Sequence, residues 1–193
     1  LKLRKIHIEI IRHNRMDILD EKINELKLQH EKIWFMADGV YSMYGDFLPV
    51  EKLIALMNKY EQLHAYVDDA HGMSWTGPNG TGYVMSKLDG KYHERLFLVC
   101  GLAKSFGTAG GLLIFPNREI QQLVRNCGRT LIFSGPIQPP VLGASVASAH
   151  IHLSEEIYEL QNKLKKKINF FRQRALEYEL PLIEPCGSPI KFI

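Results

Sequence analysis

The chain has 193 residues, of which 46% are hydrophobic and 23% are charged, so it suits one globular domain or slightly more. The net charge of +3 is small, and the densest basic run, at 163–167, follows a helical pattern, so we expect a solvated face and no nucleic-acid binding. No run of about 18 apolar residues occurs, so no membrane span is expected. The three cysteines lack metal-ligand spacing and an even number, which favours the reducing cytoplasm.

The hydrophobic pattern alternates between the periods of strands and helices. In chain order it predicts a strand at 3–11, a turn at 12–14, a helix at 16–28, a strand at 32–37, a loop at 38–49, a helix at 50–60, a strand at 64–67, a glycine-rich loop at 72–82, strands at 96–100 and 111–115, a helix at 118–126, an extended segment at 131–134, and helices at 139–153 and 154–179. The alternation predicts an α/β fold, a mostly parallel sheet with helices on both faces.

The composition along the chain indicates one boundary. We expect 1–153 to belong to a large domain, and 154–193 to contain a connecting helix and the start of a small C-terminal domain. The first residues are charged, with no apolar region after them and no initiator Met, so we interpret the start as an internal cut rather than a secretory signal.

Lys104 is the residue that packing explains least. It follows the apolar run at 96–100 and is surrounded by glycines. An unpaired ammonium group is costly to bury, whereas a desolvated amine can attack a carbonyl and form a Schiff base. Alone, a lysine at this place is more often a strand-end lysine that reaches into solvent.

Two acids at the end of a second strand favour the Schiff-base interpretation of Lys104. Asp68 and Asp69 follow the strand at 64–67, and ligands bind at the carboxyl ends of parallel strands. An acid for a pyridinium nitrogen and a lysine for an aldehyde are what pyridoxal phosphate (PLP) requires. We interpret Asp68 as the pyridinium partner and Asp69 as a turn or helix-cap residue. His71 and Ser42 converge on the same edge.

A zinc site made of His64, Asp68 and His71 is an alternative, because histidine and acid at close spacing can bind metal. Two strand residues and one loop residue do not form the usual helical ligand pair, so we expect no metal. The remaining histidines, among them His13, His150 and His152, are interpreted as surface or ordinary packing residues.

Several segments in a fixed order resemble the α-oxoamine synthases, a family of fold-type-I PLP enzymes that includes aminooxononanoate synthase and aminoketobutyrate CoA ligase. The segment 13–14 with its following helix resembles the family's HN segment, and 38–49 is similar to its EGVFSMDGD-x-x-P loop. The segment 68–82 is similar to DEAHG-x-G-x-x-G-x-x-G-R-G, and 102–111 to LSKAFG-x-x-GG. The stretch 132–140 is similar to IFST-x-x-x-PP.

The resemblance implies a role for each matched residue. Lys104 would hold the PLP aldehyde as a Schiff base, and Asp68 would keep the pyridine nitrogen protonated. His71 and Ser42 would lie near the phenolic oxygen of the ring, and His71 or Lys104 would handle the substrate's α-proton. Ser134 stands beside the place of a threonine that serves the cofactor phosphate across the dimer.

The chain departs from the family pattern near the lysine. Gly101 and Ala103 replace a threonine and a serine, Gly135 replaces the threonine after Phe-Ser, and Thr81 replaces an arginine. The hydroxyls lost at 101 and 135 are expected to weaken PLP binding by roughly 1–3 kcal/mol.

The implied activity is the condensation of an amino acid with an acyl-CoA to give an amino ketone, in a homodimer. Two alternatives stay open: a transaminase-type PLP reaction on the same architecture, and a non-catalytic subunit or fragment. The family's upstream glycine loop and aromatic ring that stacks on PLP have no counterpart in the chain. Its downstream substrate-carboxylate arginine has none either, so we expect a central fragment that is inactive alone.

Overall fold

The structure is a computed structural model that describes residues 6–183 and 187–193. Its strands are β1 (Ile33–Asp38), β2 (Leu63–Asp68), β3 (Leu96–Gly101) and β4 (Gly111–Ile114). Its helices are α1 (Met16–Leu26), α2 (Val50–Lys59), α3 (Tyr83–Ser86), α4 (Arg118–Cys127), α5 (Arg129–Ile132), α6 (Pro139–His152) and α7 (Glu156–Glu177). The alternation of strands and helices expected for an α/β fold is present.

The four strands form one sheet in the order β1-β2-β3-β4. The first three strands are parallel, and β4 is antiparallel to β3. Antiparallel neighbours can be joined by a short loop, whereas parallel neighbours need a longer crossover. The loop 102–110 therefore leaves β3 and returns directly as β4 at the edge where β1 and β2 also end.

The core lies on one face of the sheet. Alternate residues of β2 and β3 are buried there, because side chains along a strand point to opposite faces. The apolar sides of α1 and α2 pack against them, with Ile23 and Met57 fully buried. The buried set from these elements comprises Met16, Leu19, Ile23, Val50, Leu53, Met57, Leu63, Ala65, Val67, Leu96, Leu98 and Cys100.

The opposite face of the sheet is apolar but only partly covered. Trp34 is in ring contact with both His64 and Phe97, at centroid distances of 5.0 and 4.9 Å. Trp34 and Met36 of β1 nevertheless remain exposed. The two faces of the sheet are therefore packed unequally.

Two predicted elements are wrong. The segment 6–12 forms no strand within the described residues, and Ile10 is 91% exposed, so its alternating isoleucines have no sheet to pack on. Residues 3–5 of that prediction lie outside the described part. The extended segment at 131–134 is instead the end of α5 and a turn, with the Leu131 N–H donating to the Gly128 carbonyl oxygen. A short apolar run has the same composition in a strand and in a buried helical turn.

The segment after 153 begins with α7, which contacts α6 and the 3₁₀ turn Pro78–Gly80. Further along, Ile183 pairs with Phe192 in an isolated antiparallel bridge. The boundary between 153 and 154 stays a prediction.

Candidate active site

The neighbouring strands β1 and β2 both end in an aspartate, and the two aspartates lie side by side. Asp38 is the last residue of β1 and Asp68 the last of β2, and the register pairs them directly. Both are half-buried. Asp68 Oδ1 accepts the Ala70 N–H at 2.9 Å, which fixes the carboxylate at the strand end. The sequence motif identified Asp68, but the register adds Asp38 as a second acid.

Lys104 and His71 meet at this edge. The Lys104 Nζ atom lies 3.4 Å from His71 Nδ1, although 33 positions separate the two residues. His71 is placed by a tight turn, in which the N–H groups of Gly72 and Met73 both donate to the Asp69 carbonyl oxygen. The Lys104 side chain is exposed and the imidazole is half-buried, so the amine reaches from the loop toward the ring.

The electrostatics of this group favour a neutral imidazole. Burial and the Lys104 ammonium lower the pKa of His71, while Asp38 and Asp68 oppose this shift. The pKa of Asp38 is raised by burial and by repulsion from Asp68, and His71 and Lys104 oppose that shift. A neutral imidazole next to a cationic amine can accept or relay a proton at neutral pH.

Asp69 is fully buried directly behind the site. Its Oδ2 atom accepts the Val84 N–H at 2.9 Å, a capping contact to the short helix α3 made 15 positions away. Within the described residues, Oδ1 has no hydrogen-bond partner. Burial raises the pKa of Asp69 to about 7, and hydrogen bonds from the Val84 and Tyr83 backbone oppose this shift.

Three glycines let the backbone approach Asp69 closely. A Cβ atom on Gly39 would lie 2.3 Å from Oδ1, on Gly72 2.1 Å from Oδ1, and on Gly82 2.6 Å from Oδ2. These glycines belong to the loop after β1, the loop after β2 and the start of α3. The Asp69 carboxyl group thus packs at the junction of the segments that carry Asp38 and His71.

The loop that carries Ser42 is tied to the N-terminal turn. His13 Nε2 lies 2.5 Å from Asp46 Oδ2, and Asn14 Nδ2 donates to the same oxygen at 3.0 Å. The His13 ring also meets the Tyr41 ring at 4.3 Å. His13 therefore has specific polar partners, which its interpretation as an ordinary surface or packing residue did not include.

The two predicted serines are placed differently from Lys104 and His71. Ser42 is exposed in the turn at 42–44, on the loop that leaves β1. Ser134 is also exposed, and its hydroxyl donates to the Thr130 carbonyl oxygen one turn earlier. Their contacts with a cofactor stay predictions.

Sequence reasoning missed Asp38 and His152 as residues near the site, and it did not predict that Asp69 is buried. Asp38 carried a usable signal, because like Asp68 it directly follows a short apolar run. His152 was interpreted as a surface or packing residue, but it is buried and its Nε2 atom lies 2.9 Å from Ser74 Oγ. That contact joins residues 78 positions apart, and no local pattern indicates it.

The described ranges, 6–183 and 187–193, contain no group of three or more His, Cys, Asp or Glu side chains that could hold a metal ion. The helices found there are too short or too polar to cross a membrane.

Comparison with known proteins decides the family. The pattern of the family described as aminotransferase class I and II matches residues 1–189. The chain belongs to this aminotransferase family. Within it, the chain is 35% identical over 157 residues to an 8-amino-7-oxononanoate synthase of Marinomonas sp. (strain MWYL1), a match that covers 81% of the chain and 38% of that protein.

A second relative is a serine palmitoyltransferase of Sphingomonas paucimobilis, 34% identical over 138 residues, with 71% of the chain and 31% of that protein covered. The chain thus spans less than half the length of either relative. These relatives are α-oxoamine synthases, so the resemblance predicted from the motifs is confirmed.

The fold of this aminotransferase-family chain matches a solved structure. A serine palmitoyltransferase from S. paucimobilis with a bound PLP–myriocin aldimine superposes with a TM-score of 0.81 at 27% identity, covering 96% of the chain and 47% of that structure. The predicted fold class, a fold-type-I PLP enzyme with a mostly parallel sheet, is confirmed.

Proposed function

We propose that the chain carries the central part of a PLP-dependent acyltransferase, which condenses an amino acid with an acyl-CoA to give an amino ketone. The observation that carries the proposal is the 3.4 Å contact between Lys104 Nζ and His71 Nδ1, at the sheet edge where Asp68 ends β2. The names of the relatives, 8-amino-7-oxononanoate synthase and serine palmitoyltransferase, support this reaction over transamination.

The side chains at this edge fit PLP by their chemistry. PLP supplies an electron sink for the negative charge that develops at the substrate's α-carbon. The Lys104 amine is exposed and free to hold an aldehyde, and the half-buried Asp68 carboxylate is fixed by the Ala70 N–H. An ionised acid beside the pyridine nitrogen keeps the ring protonated.

His71 is proposed to move the proton. Its lowered pKa leaves the imidazole neutral, and its Nδ1 atom is within reach of the Lys104 amine. A neutral imidazole can accept the α-proton directly or from Lys104, and can return it later. Its position also allows it to donate to a substrate carbonyl once it is protonated.

The surroundings of the site form further parts of the proposal. Ser42 would lie near the phenolic oxygen of PLP, and Ser134 near the phosphate. Large apolar side chains in the segment 133–142 stay exposed, with Phe133 94% and Leu142 50% exposed, which favours a homodimer whose partner covers them. The large domain would end near 153, and free cysteines such as Cys127 fit the cytoplasm.

Chemical trapping tests the proposal at the level of one residue. The protein is incubated with PLP and reduced with borohydride, and its peptides are analysed by mass spectrometry. We expect the pyridoxyl label on Lys104 and its loss in Lys104→Ala, because Lys104 is the one lysine in the sequence of the segments 39–49, 69–82 and 102–110 that follow the three parallel strands. Lys163→Ala, at an exposed position of α7, is the matched control and should keep the label.

A label of equal yield in Lys104→Ala would refute the cofactor assignment. The reaction type is tested separately, by supplying an amino acid with either an acyl-CoA or a keto acid. Release of CoA with an amino ketone product supports the acyltransferase, whereas a new amino acid formed from the keto acid identifies a transaminase.

A further inference from the structure

His152, the last residue of α6, is a buried histidine with both ring nitrogens engaged. Its Nδ1 atom lies 2.8 Å from the Ser148 carbonyl oxygen, and its Nε2 atom lies 2.9 Å from Ser74 Oγ. A carbonyl oxygen only accepts, so Nδ1 carries the proton. In the neutral ring Nε2 then accepts from the Ser74 hydroxyl, and both polar atoms are satisfied.

The first partner, Ser74, lies on the loop that carries His71. Its φ angle is +74°, in a region that favours glycine, and its N–H donates to the Gly80 carbonyl oxygen at 2.8 Å. The ring of His152 closes tightly on this loop, because a Cβ atom on Gly80 would lie 2.6 Å from its Cδ2 atom. The hydrogen bond from Ser74 thus fixes a strained residue three positions after His71.

The second partner, Phe106, lies on the loop that carries Lys104. The rings of His152 and Phe106 meet at a centroid distance of 4.7 Å. One turn earlier on α6, the Ser148 hydroxyl donates to the Phe106 carbonyl oxygen at 2.7 Å, and Ser145 Oγ lies 3.2 Å from Thr108 Oγ1. The C-terminal half of α6 therefore holds the Lys104 loop by two hydroxyls and one ring.

We propose that His152 is a positioning residue, whose single ring holds the loop of Lys104 against the loop of His71 and so sets the distance between their nitrogen atoms. Lys104 is exposed and His71 is half-buried, whereas the His152 ring is buried and contacts residues of both their loops. The expected effect on catalysis rests on the proposed function. The fixed distance between Lys104 and His71 is a matter of geometry and does not depend on that function.

Two variants test the inference. His152→Phe keeps an aromatic ring next to Phe106 and removes both hydrogen bonds. Ser74→Gly removes only the hydroxyl partner, at a backbone angle that glycine adopts freely. His150→Phe is the matched control, because it makes the same change at an exposed position of the same helix.

The main readout is the titration of the His71 ring by NMR, in the protein without PLP. Burial and the Lys104 ammonium lower the pKa of His71, while the facing acids Asp38 and Asp68 are unchanged by the variants. Loss of positioning should raise the pKa of His71, because the Lys104 ammonium is no longer held beside the ring. We expect this shift in His152→Phe and Ser74→Gly, and none in His150→Phe.

A folded Ser74→Gly protein with an unchanged His71 titration would overturn the inference, even if its Tm were lower. If His152→Phe does not fold, Ser74→Gly decides alone. In the PLP-loaded protein both variants should lower kcat by roughly 10- to 100-fold, since a small misplacement of reacting groups has that effect. A parent protein without acyltransferase activity would refute the proposed function and leave the titration result standing.

Discussion

At the scale of single residues, the most unusual group is the Asp69 carboxyl. It is completely buried, one oxygen has no donor among the described residues, and three glycines surround it. An ionised carboxylate with one oxygen left without a donor is unfavourable in such a site, which is why burial raises the pKa of Asp69 to about 7. This acid lies where the loop that follows Asp38 packs against the loop that carries His71.

Asp69→Asn should change how stability depends on pH. The folded-state pKa is about 7 and the unfolded value is 3.8, so between these values the folded protein holds a proton that the unfolded chain releases. Stability from this group is full below about pH 4 and is lost as the pH rises to about 7, by at most about 4 kcal/mol. Urea unfolding at pH 5 and pH 8 should show a smaller loss for Asp69→Asn than for the parent.

Asp89→Asn provides the control for that comparison, because Asp89 is exposed in a turn with positive φ, which Asn also tolerates. The lowered pKa of His71 adds a dependence of opposite sign, but it is common to all three proteins and cancels in the difference. Identical losses in Asp69→Asn and in the parent would contradict the assignment of a raised pKa to Asp69.

At the scale of elements, glycines in the loops after β1 and β2 have close neighbours, whereas the glycine of α6 has none within 4 Å among the described atoms. Gly72 lies where the backbone touches the Asp69 carboxyl, whereas Gly143 lies exposed in the middle of α6, where an added methyl group would have no described atom within 4 Å. Close contact with Asp69 therefore explains the glycine at position 72, whereas no contact explains the glycine at position 143.

Gly72→Ala and Gly143→Ala should change stability in opposite directions. The added methyl at 72 would lie 2.1 Å from Asp69 Oδ1, so we expect a loss of about 1–3 kcal/mol. In α6 the change removes the flexibility of glycine in the unfolded chain and should stabilise by about 0.5–1 kcal/mol. Thermal unfolding of the two variants measures both effects, and a Gly72→Ala protein as stable as the parent would show that the loop can relax around the methyl.

At the scale of the whole molecule, stability comes from the sheet face covered by α1 and α2. Leu98 of β3 is fully buried there and pairs with Ile114, whereas Leu113 of β4 pairs with Val99 on the opposite face and is 40% exposed. The covered face supplies the core, and the partly covered face carries Asp38 and Asp68 at its end.

Leu98→Ala and Leu113→Ala make the same chemical change on the two faces. We expect a loss of about 2–5 kcal/mol at 98, from lost burial and the cavity left behind. At 113 the loss should be about 1 kcal/mol, because much of that side chain already contacts water. Urea denaturation provides the comparison, and equal losses would mean that the opposite face is as well packed as the core.

Much of the fold and part of the site could be predicted from local pattern. The predicted bounds of β1, β2, β3 and β4 differ from the observed ones by no more than one residue, because buried strands have short apolar runs with turn residues at their ends. Lys104 and Asp68 were singled out because a lysine and an acid at two strand ends are together what PLP requires, and their contacts with the cofactor stay predictions. The segments at 6–11 and 131–134 failed, because a strand also needs a partner, which no local pattern specifies.

The sequence by itself determined most of the element types and the family, since both depend on residue identity and short-range spacing. Only the tertiary structure decided which groups touch. It paired Asp38 with Asp68, buried Asp69 among glycines, and placed His152 beneath both the Lys104 and His71 loops. Apart from Gly72, which is three positions from Asp69, these contacts join residues that lie farther apart along the chain, and the physical reason is that packing, rather than periodicity, brings them together.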